Sequence, residues 1–331
     1  MALPKPSLNC RAARLFLIVM TITHLLPNTQ PQLEFVNCPH PDGLHRMAYW
    51  RWGDPQASRV VVCAHGLTRQ GRDFDLLAQA LVAQSTDPLQ VICPDVAGRG
   101  RSQWLDNPAL YQIPQYAADM LAMLAQVQAQ LGALPIQSLD WVGTSMGGLI
   151  GLVLCGQPGL PLPASIRRLV LNDVGPAITW SSVQRMQTYV GQYGQYKDLD
   201  EAAAVLSALS QGFGPVLPQV WRDMSSHMTR PGTQGGLTLH YDPAIGVPLR
   251  AMTPEMAAAG EAALWAMYDL TQAQTLLIRG QDSDLLTPET AQEMTQRGPR
   301  ARLETWPGFG HAPTLTGADQ IQVLSTFLLG A

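Results

Sequence analysis

The stretch LDWVGTSMGGLIGLVL sets one serine among glycines between two apolar runs. Gly143-Thr144-Ser145-Met146-Gly147 fits G-x-S-x-G, with a strand-like run before it and a helix-like run after it. Glycines at those places relieve crowding in a tight strand-to-helix turn and leave the serine hydroxyl displayed above a sheet. Close packing of a helix on a sheet would use the same small residues, so other parts of the chain must decide between packing and chemistry. A serine hydroxyl is a weak nucleophile at neutral pH and needs an adjacent base. His311 offers one, in the glycine-framed loop PGFGHAPTL near the C-terminus. The base in turn needs a carboxylate to hold its tautomer. Three stand at the ends of apolar runs: Asp173 closes RRLVLND, while Asp282 and Asp284 share LLIRGQDSDLLTPE. Serine, histidine and carboxylate in that relation perform acyl transfer.

The elements around these residues must bring them together. From about residue 45, strand-like and helix-like segments alternate, beginning with HRMAYWRWG, RVVVCAHG and GRDFDLLAQALVAQ. Continuous apolar strands between helices predict an α/β fold, a mostly parallel, doubly wound sheet covered on both faces. Ligands bind at the carboxyl ends of the strands in such sheets. His65-Gly66, Ser145, the Asp282/Asp284 loop and His311 all fall at such ends. Between Pro176 and about Ala262 the alternation stops and amphipathic helices are predicted, with Met186, Tyr189, Val190, Tyr193 and Tyr196 on one stripe. The expected organisation is an N-terminal extension over 1–44 outside the mature fold, a core over 45–176 and 263–331, and a helical cap over 177–262 inserted between two strands.

Of the 331 residues, 46% are apolar and 14% charged, which permits a large core and argues against disorder. A net charge of -4 without a basic block gives no reason to expect nucleic acid or an acidic membrane as partner. The five cysteines (Cys10, Cys38, Cys63, Cys93 and Cys155) show neither CxxC nor Cys/His metal spacing, which fits a reducing compartment. Lys5, Arg11 and Arg14 precede LFLIVMTITHLL in the order of a signal peptide, but no small-x-small cleavage site follows. The apolar run is also short for a bilayer span. A translation start at Met20 or an inert tail is the preferred reading, with export or a membrane-associated helix as alternatives. A cytoplasmic location is expected.

From about residue 45 to its end the chain resembles the α/β-hydrolases, of the lid-bearing esterase and C–C-bond hydrolase type. The resemblance rests on the serine turn, the order Ser…Asp…His, the His65-Gly66-Leu67 loop, and PDVAGRGRS. The last matches D-x-x-G-x-G-x-S through Asp95, Gly98, Gly100 and Ser102. It implies an oxyanion hole made by the N–H groups of Leu67 and Met146, with no cofactor and no metal. The family places a proline four residues past the acid, as Asp284 and Pro288 stand here. Asp284 is therefore the expected third triad member beside Ser145 and His311, with Asp282 and Asp173 as alternatives. Asp95 is expected to tie loop backbone together.

His65 is expected to organise the oxyanion loop and, with Arg69 and Tyr189, is a candidate substrate contact. Arg69 stands close enough to that loop to reach a substrate carboxylate. The alternative is an ordinary solvated loop, with Arg72 paired to Asp73 or Asp75. His227 and His240 lack metal-ligand spacing and read as structural. C–C-bond hydrolases usually carry a glycine-rich loop after His-Gly, and LTRQGRDFD stands there instead. That favours an ester, thioester or lactone, and a serine rather than an aspartate nucleophile argues against dehalogenase or epoxide hydrolase chemistry. The expected protein is a serine hydrolase, monomeric or homodimeric, acting through an acyl-enzyme on a small molecule with an apolar acyl or aryl part. A C–C-bond hydrolase or serine-dependent acyltransferase is the runner-up. A non-catalytic binding protein would call for a missing triad member.

Overall fold

β-Branched and apolar runs between glycine-bearing turns build the centre of the molecule. The computed structural model describes residues 30–192 and 194–330. The first half of the core runs β1 (Gln32–His40), β2 (Gly43–Gly53), β3 (Arg59–Ala64), α1 (Asp75–Gln84), β4 (Gln90–Asp95), α2 (Ile113–Gln130), β5 (Ser138–Thr144), α3 (Met146–Gly156) and β6 (Ile166–Asn172). The chain then leaves the sheet through α4 (Trp180–Tyr189), β7 (Gln195–Tyr196), α5 (Leu199–Leu209), α6 (Pro218–Met228), β8 (Thr229–Pro231), β9 (Leu237–Leu239) and α7 (Gly246–Arg250). It returns by α8 (Pro254–Leu270), β10 (Gln274–Gly280), α9 (Pro288–Met294), β11 (Arg302–Trp306) and α10 (Ala318–Leu329).

Eight strands form one sheet in the order β1-β2-β4-β3-β5-β6-β10-β11. From β4 to β11 all neighbours are parallel, whereas β2 is antiparallel to both β1 and β4. Alternate residues of each strand serve opposite faces. Val60 and Val62 join Met120, Met123, Ile150 and Tyr268 on one side, while Val61 and Cys63 join Leu77, Leu81 and Leu324 on the other. Both faces are dry, which is why these strands read as unbroken apolar runs.

Three expectations need correction. The fold begins before residue 45: β1 pairs with β2 along its whole length, from Gln32 opposite Arg51 to His40 opposite Gly43. Val36 and Cys38 point into the core from this strand, with exposed Asn37 between them. The leader-like stretch, including Met20, lies outside the described residues. The insertion is not all helical either, since β7, β9 and β8 make a small antiparallel sheet. The expected stripe therefore breaks after Tyr189, with Val190 capping α4 and Tyr196 in β7. Finally, the expected boundary at residue 262 falls inside a single helix, α8. Gly156 of α3 lies so near it that an added Cβ would come 2.1 Å from the Met267 carbonyl oxygen.

Among the described residues no helix is long and apolar enough to cross a membrane.

Candidate active site

Ser145 sits where β5 gives way to α3, with φ 50° and ψ -115°. A serine is held in that region only when its surroundings demand it. The neighbouring glycines show why: a Cβ on Gly143 would lie 2.4 Å from the Gly147 backbone, and one on Gly147 would lie 2.0 Å from the Ala64 carbonyl oxygen. Trp141 Nε1 donates to the Gly147 carbonyl at 2.9 Å and pins the first turn of α3 to the sheet. The hydroxyl this turn presents lies 2.9 Å from His311 Nε2. Asn172 binds the two loops to each other, its Nδ2 donating to Thr144 Oγ1 at 3.0 Å and to the Pro313 carbonyl at 2.8 Å.

The carboxylate on the far side of the imidazole is Asp173, not Asp284. Asp173 Oδ2 faces His311 Nδ1 at 2.7 Å, and Oδ1 accepts from the Gly280 N–H at 2.9 Å. Asp173 has φ 57° and is fully buried one residue past the end of β6, with its own N–H donating to the Ile278 carbonyl at 2.8 Å. That backbone geometry turns its side chain in over the strand ends. Asp284 is drawn elsewhere: its carboxylate pairs with Arg185 of α4 at 2.7 Å, and its carbonyl accepts from Thr179 and Ser182 hydroxyls at 3.0 and 2.9 Å. Asp282 shapes the turn, its N–H donating to the Phe309 carbonyl at 2.8 Å. Ser283, between them, donates to Asp173 Oδ2 at 2.6 Å. The sequence reading missed this residue. The loop it sits on is braced by buried Arg279, which donates to the carbonyls of Leu286 and Gln281 at 2.9 and 3.0 Å.

On the other side of Ser145, the His65-Gly66-Leu67 loop is fastened from below. His65 Nδ1 lies 2.7 Å from the Gly66 carbonyl, and the Val96 N–H donates to Nε2 at 2.9 Å. One nitrogen must donate and the other accept, so the ring is neutral. Burial lowers its pKa to about 3, with Arg99 and Arg69 adding to the effect. Both nitrogens are spent on backbone, so His65 braces the loop, and it also lines the cavity over Ser145. Arg99, also missed, is fully buried; its Nε donates to the Leu67 carbonyl at 2.8 Å and Nη2 lies 3.7 Å from Met146 Sδ. One guanidinium thus touches both residues whose N–H groups were expected to face an oxyanion. Met146 opens α3, and the first N–H groups of a helix lack an intrahelical acceptor. Asp95 accepts from the N–H groups of Gly71 and Arg101 at 2.7 and 2.8 Å, the loop-tying role expected of it. Burial raises its pKa to about 6.

A cavity of about 630 Å³ opens over Ser145 and His311, lined in part by residues of the inserted segment. Leu206, Phe213, Met224, Met228 and Leu239 give it an apolar wall, and Tyr189 lines it from α4. Arg69 also lines it, but bound to Asp73 through Nε at 2.5 Å and Nη2 at 3.0 Å. The Phe213 and Trp221 rings lie 5.5 and 5.9 Å from its guanidinium. Arg72 pairs with Asp75 at 2.6 Å. His227 and His240 border a separate polar cavity of about 110 Å³ with Arg72, Asp95 and Arg101. Cys38, His45 and Asp119 come within 4.8 Å of one another in the core, where His45 Nε2 and Asp119 Oδ2 bond to each other at 3.1 Å and tie β2 to α2.

Comparison with known proteins places this geometry in context. Residues 61–321 match the model of the alpha/beta hydrolase family. A 3-hydroxybutyrate-oligomer hydrolase from Cupriavidus necator is 46% identical over 307 residues, covering 92% of this chain and 100% of its own. The crystal structure of an alpha/beta hydrolase from Novosphingobium aromaticivorans is similar with a TM-score of 0.75 at 30% identity, covering 91% of this chain and 99% of that one. A thioesterase domain from the curacin biosynthetic pathway, at 23% identity and a TM-score of 0.67 over 91% of this chain and 100% of its own, shares the fold.

Proposed function

Because the chain belongs to the alpha/beta hydrolase family, we propose that it is a serine ester hydrolase that cuts short oligoesters of a small hydroxyacid, the compound class in the name of its 46% identical relative. The observation that carries this reading is the unbroken relay Ser145–His311–Asp173, with contacts of 2.9 and 2.7 Å, opening into a covered, largely apolar cavity.

In the first half-reaction Ser145 Oγ attacks the ester carbonyl while His311 Nε2 takes its proton. Asp173 holds Nδ1–H toward itself and stabilises the imidazolium that forms. The N–H groups of Leu67 and Met146 receive the oxyanion, and each such donor is worth about 10²–10³ in turnover. His311 then returns the proton to the departing alkoxide oxygen, leaving an acyl-serine. In the second half-reaction water attacks this ester, giving its proton to His311, and the acid leaves as Ser145 regains its hydrogen. The inserted segment keeps bulk water from the apolar part of the chain being cut.

The test is hydrolysis of the linear dimer and trimer of 3-hydroxybutyrate by the purified full chain, followed by release of the free acid. Cleavage that disappears in a folded Ser145→Ala variant supports the reading. Turnover of p-nitrophenyl butyrate without any cleavage of the oligomers would overturn the substrate class while leaving the serine chemistry in place.

A further inference from the structure

The cavity carries two arginines, and they differ in how tightly their charges are committed. Arg69 holds Asp73 through two nitrogens, and Gln70 Nε2 donates to the same carboxylate at 3.0 Å. Both side chains of that pair are nearly buried, at 9% and 12% exposure. Breaking it would strand an uncompensated carboxylate inside the wall, which is strongly disfavoured. Arg185 is different. It meets Asp284 at 2.7 Å, but the two side chains are 47% and 53% exposed. An ion pair so open to water contributes little to stability and exchanges readily for another carboxylate.

Arg185 also stands in the right place. It lies on α4, one helical turn before Tyr189, and Arg185, Tyr189, Asp282 and Asp284 line the same cavity as the apolar Leu206, Phe213, Met224 and Met228. A linear oligoester of a hydroxyacid combines the same two characters. Its body is apolar, and the alcohol fragment released by cleavage ends in a free carboxylate.

Resting on the proposed substrate class, we infer that Arg185 binds the terminal carboxylate of the oligomer in exchange for Asp284, so that the chain is read from its acid end. Asp284 then acts as a stand-in for the substrate charge in the empty site. Asp282 and Asp284 together oppose an incoming anion, and this makes the preference for an acid end sensitive to which carboxylate Arg185 holds.

The experiment compares kcat/KM for the 3-hydroxybutyrate dimer and for its terminal primary amide, which keeps the size and removes the charge. Wild type should prefer the acid. Arg185→Gln should lower the acid-to-amide ratio by roughly five- to tenfold, mainly through KM, and Arg185→Lys should restore part of it. Asp284→Asn should raise the ratio, because it removes the competing carboxylate yet leaves the backbone carbonyl that Thr179 and Ser182 hold. A purely structural latch between α4 and the core would change both substrates alike and leave the ratio where it was. That result, or an unchanged ratio in all three variants, overturns the inference while the oligoester reading stands. If neither dimer nor amide is cleaved although p-nitrophenyl butyrate is, both the reading and the inference fall.

Discussion

Ser283 Oγ donates to Asp173 Oδ2 across 2.6 Å, and the same oxygen faces His311 Nδ1 at 2.7 Å. The Ser283 hydroxyl is itself approached by the N–H groups of Leu285 and Leu286 at 3.3 and 3.2 Å. One serine thus fixes both the carboxylate and the loop that carries it. Ser283→Ala should cost about 1–3 kcal/mol of stability, since a bond to a charged group is lost in the interior. Turnover should fall several-fold with little change in KM, and Ser283→Thr should recover much of it. Denaturant midpoints and steady-state kinetics on the three proteins check this, and an Ala variant matching wild type in both would contradict it.

The acid assignment separates sharply by substitution. In a triad of this kind, replacing the aspartate by asparagine costs about 10⁴ in turnover, because the imidazole adopts the wrong tautomer. Asp173→Asn should show a loss of that order. Asp284→Asn should stay within a few-fold of wild type on a neutral ester, because its carboxylate contacts half-exposed Arg185 while His311 faces Asp173. Parallel kinetics on p-nitrophenyl butyrate decide it. A dead Asp284→Asn beside an active Asp173→Asn would return the acid to the later loop.

His65 makes a prediction about pH. Its pKa is lowered to about 3 in the folded protein, chiefly by burial, against about 6.5 in an unfolded chain. The unfolded state therefore binds the extra proton between those values. The stability that neutral His65 contributes is complete above about pH 6.5 and is lost as pH falls toward 3. Partly buried Asp75 and fully buried Asp95, both raised to about 6, bias wild type in the opposite sense over part of that range. The comparison with His65→Asn isolates the histidine. The stability advantage of wild type over the variant should shrink on acidification, by up to about 1.4 kcal/mol per pH unit. Urea midpoints across that range test it. Parallel curves for the two proteins would mean that His65 is not held neutral.

Ser145 and His311 were legible in the sequence because their signals are local: a glycine-flanked turn between apolar runs, and a histidine framed by glycines after a strand. The carboxylate that faces His311 was not, because three carboxylates end strands here and tertiary contacts choose among them. The positive φ of Asp173, the Gly280 N–H and the Ser283 hydroxyl select it, while Arg185 draws Asp284 away. The spacing between Asp284 and Pro288 reflects the N-terminal turn of α9 rather than a contact with His311. Arg99 escaped notice for a related reason. Among scattered arginines nothing in the chain marks one whose donors turn inward, to Leu67, Ala97, Tyr116 and Met146. The parallel core followed from periodicity, but β7, β8 and β9 are two or three residues long and too short to show a period.

The most direct test of the central claim is peptide mapping after reaction with a fluorophosphonate, run beside oligomer hydrolysis on the same preparation. The account predicts one adduct, on Ser145, forming as hydrolysis is lost, and neither labelling nor hydrolysis in a folded Ser145→Ala variant. Full hydrolysis by that folded variant, or complete inactivation with the label on another residue and Ser145 unmodified, would contradict it.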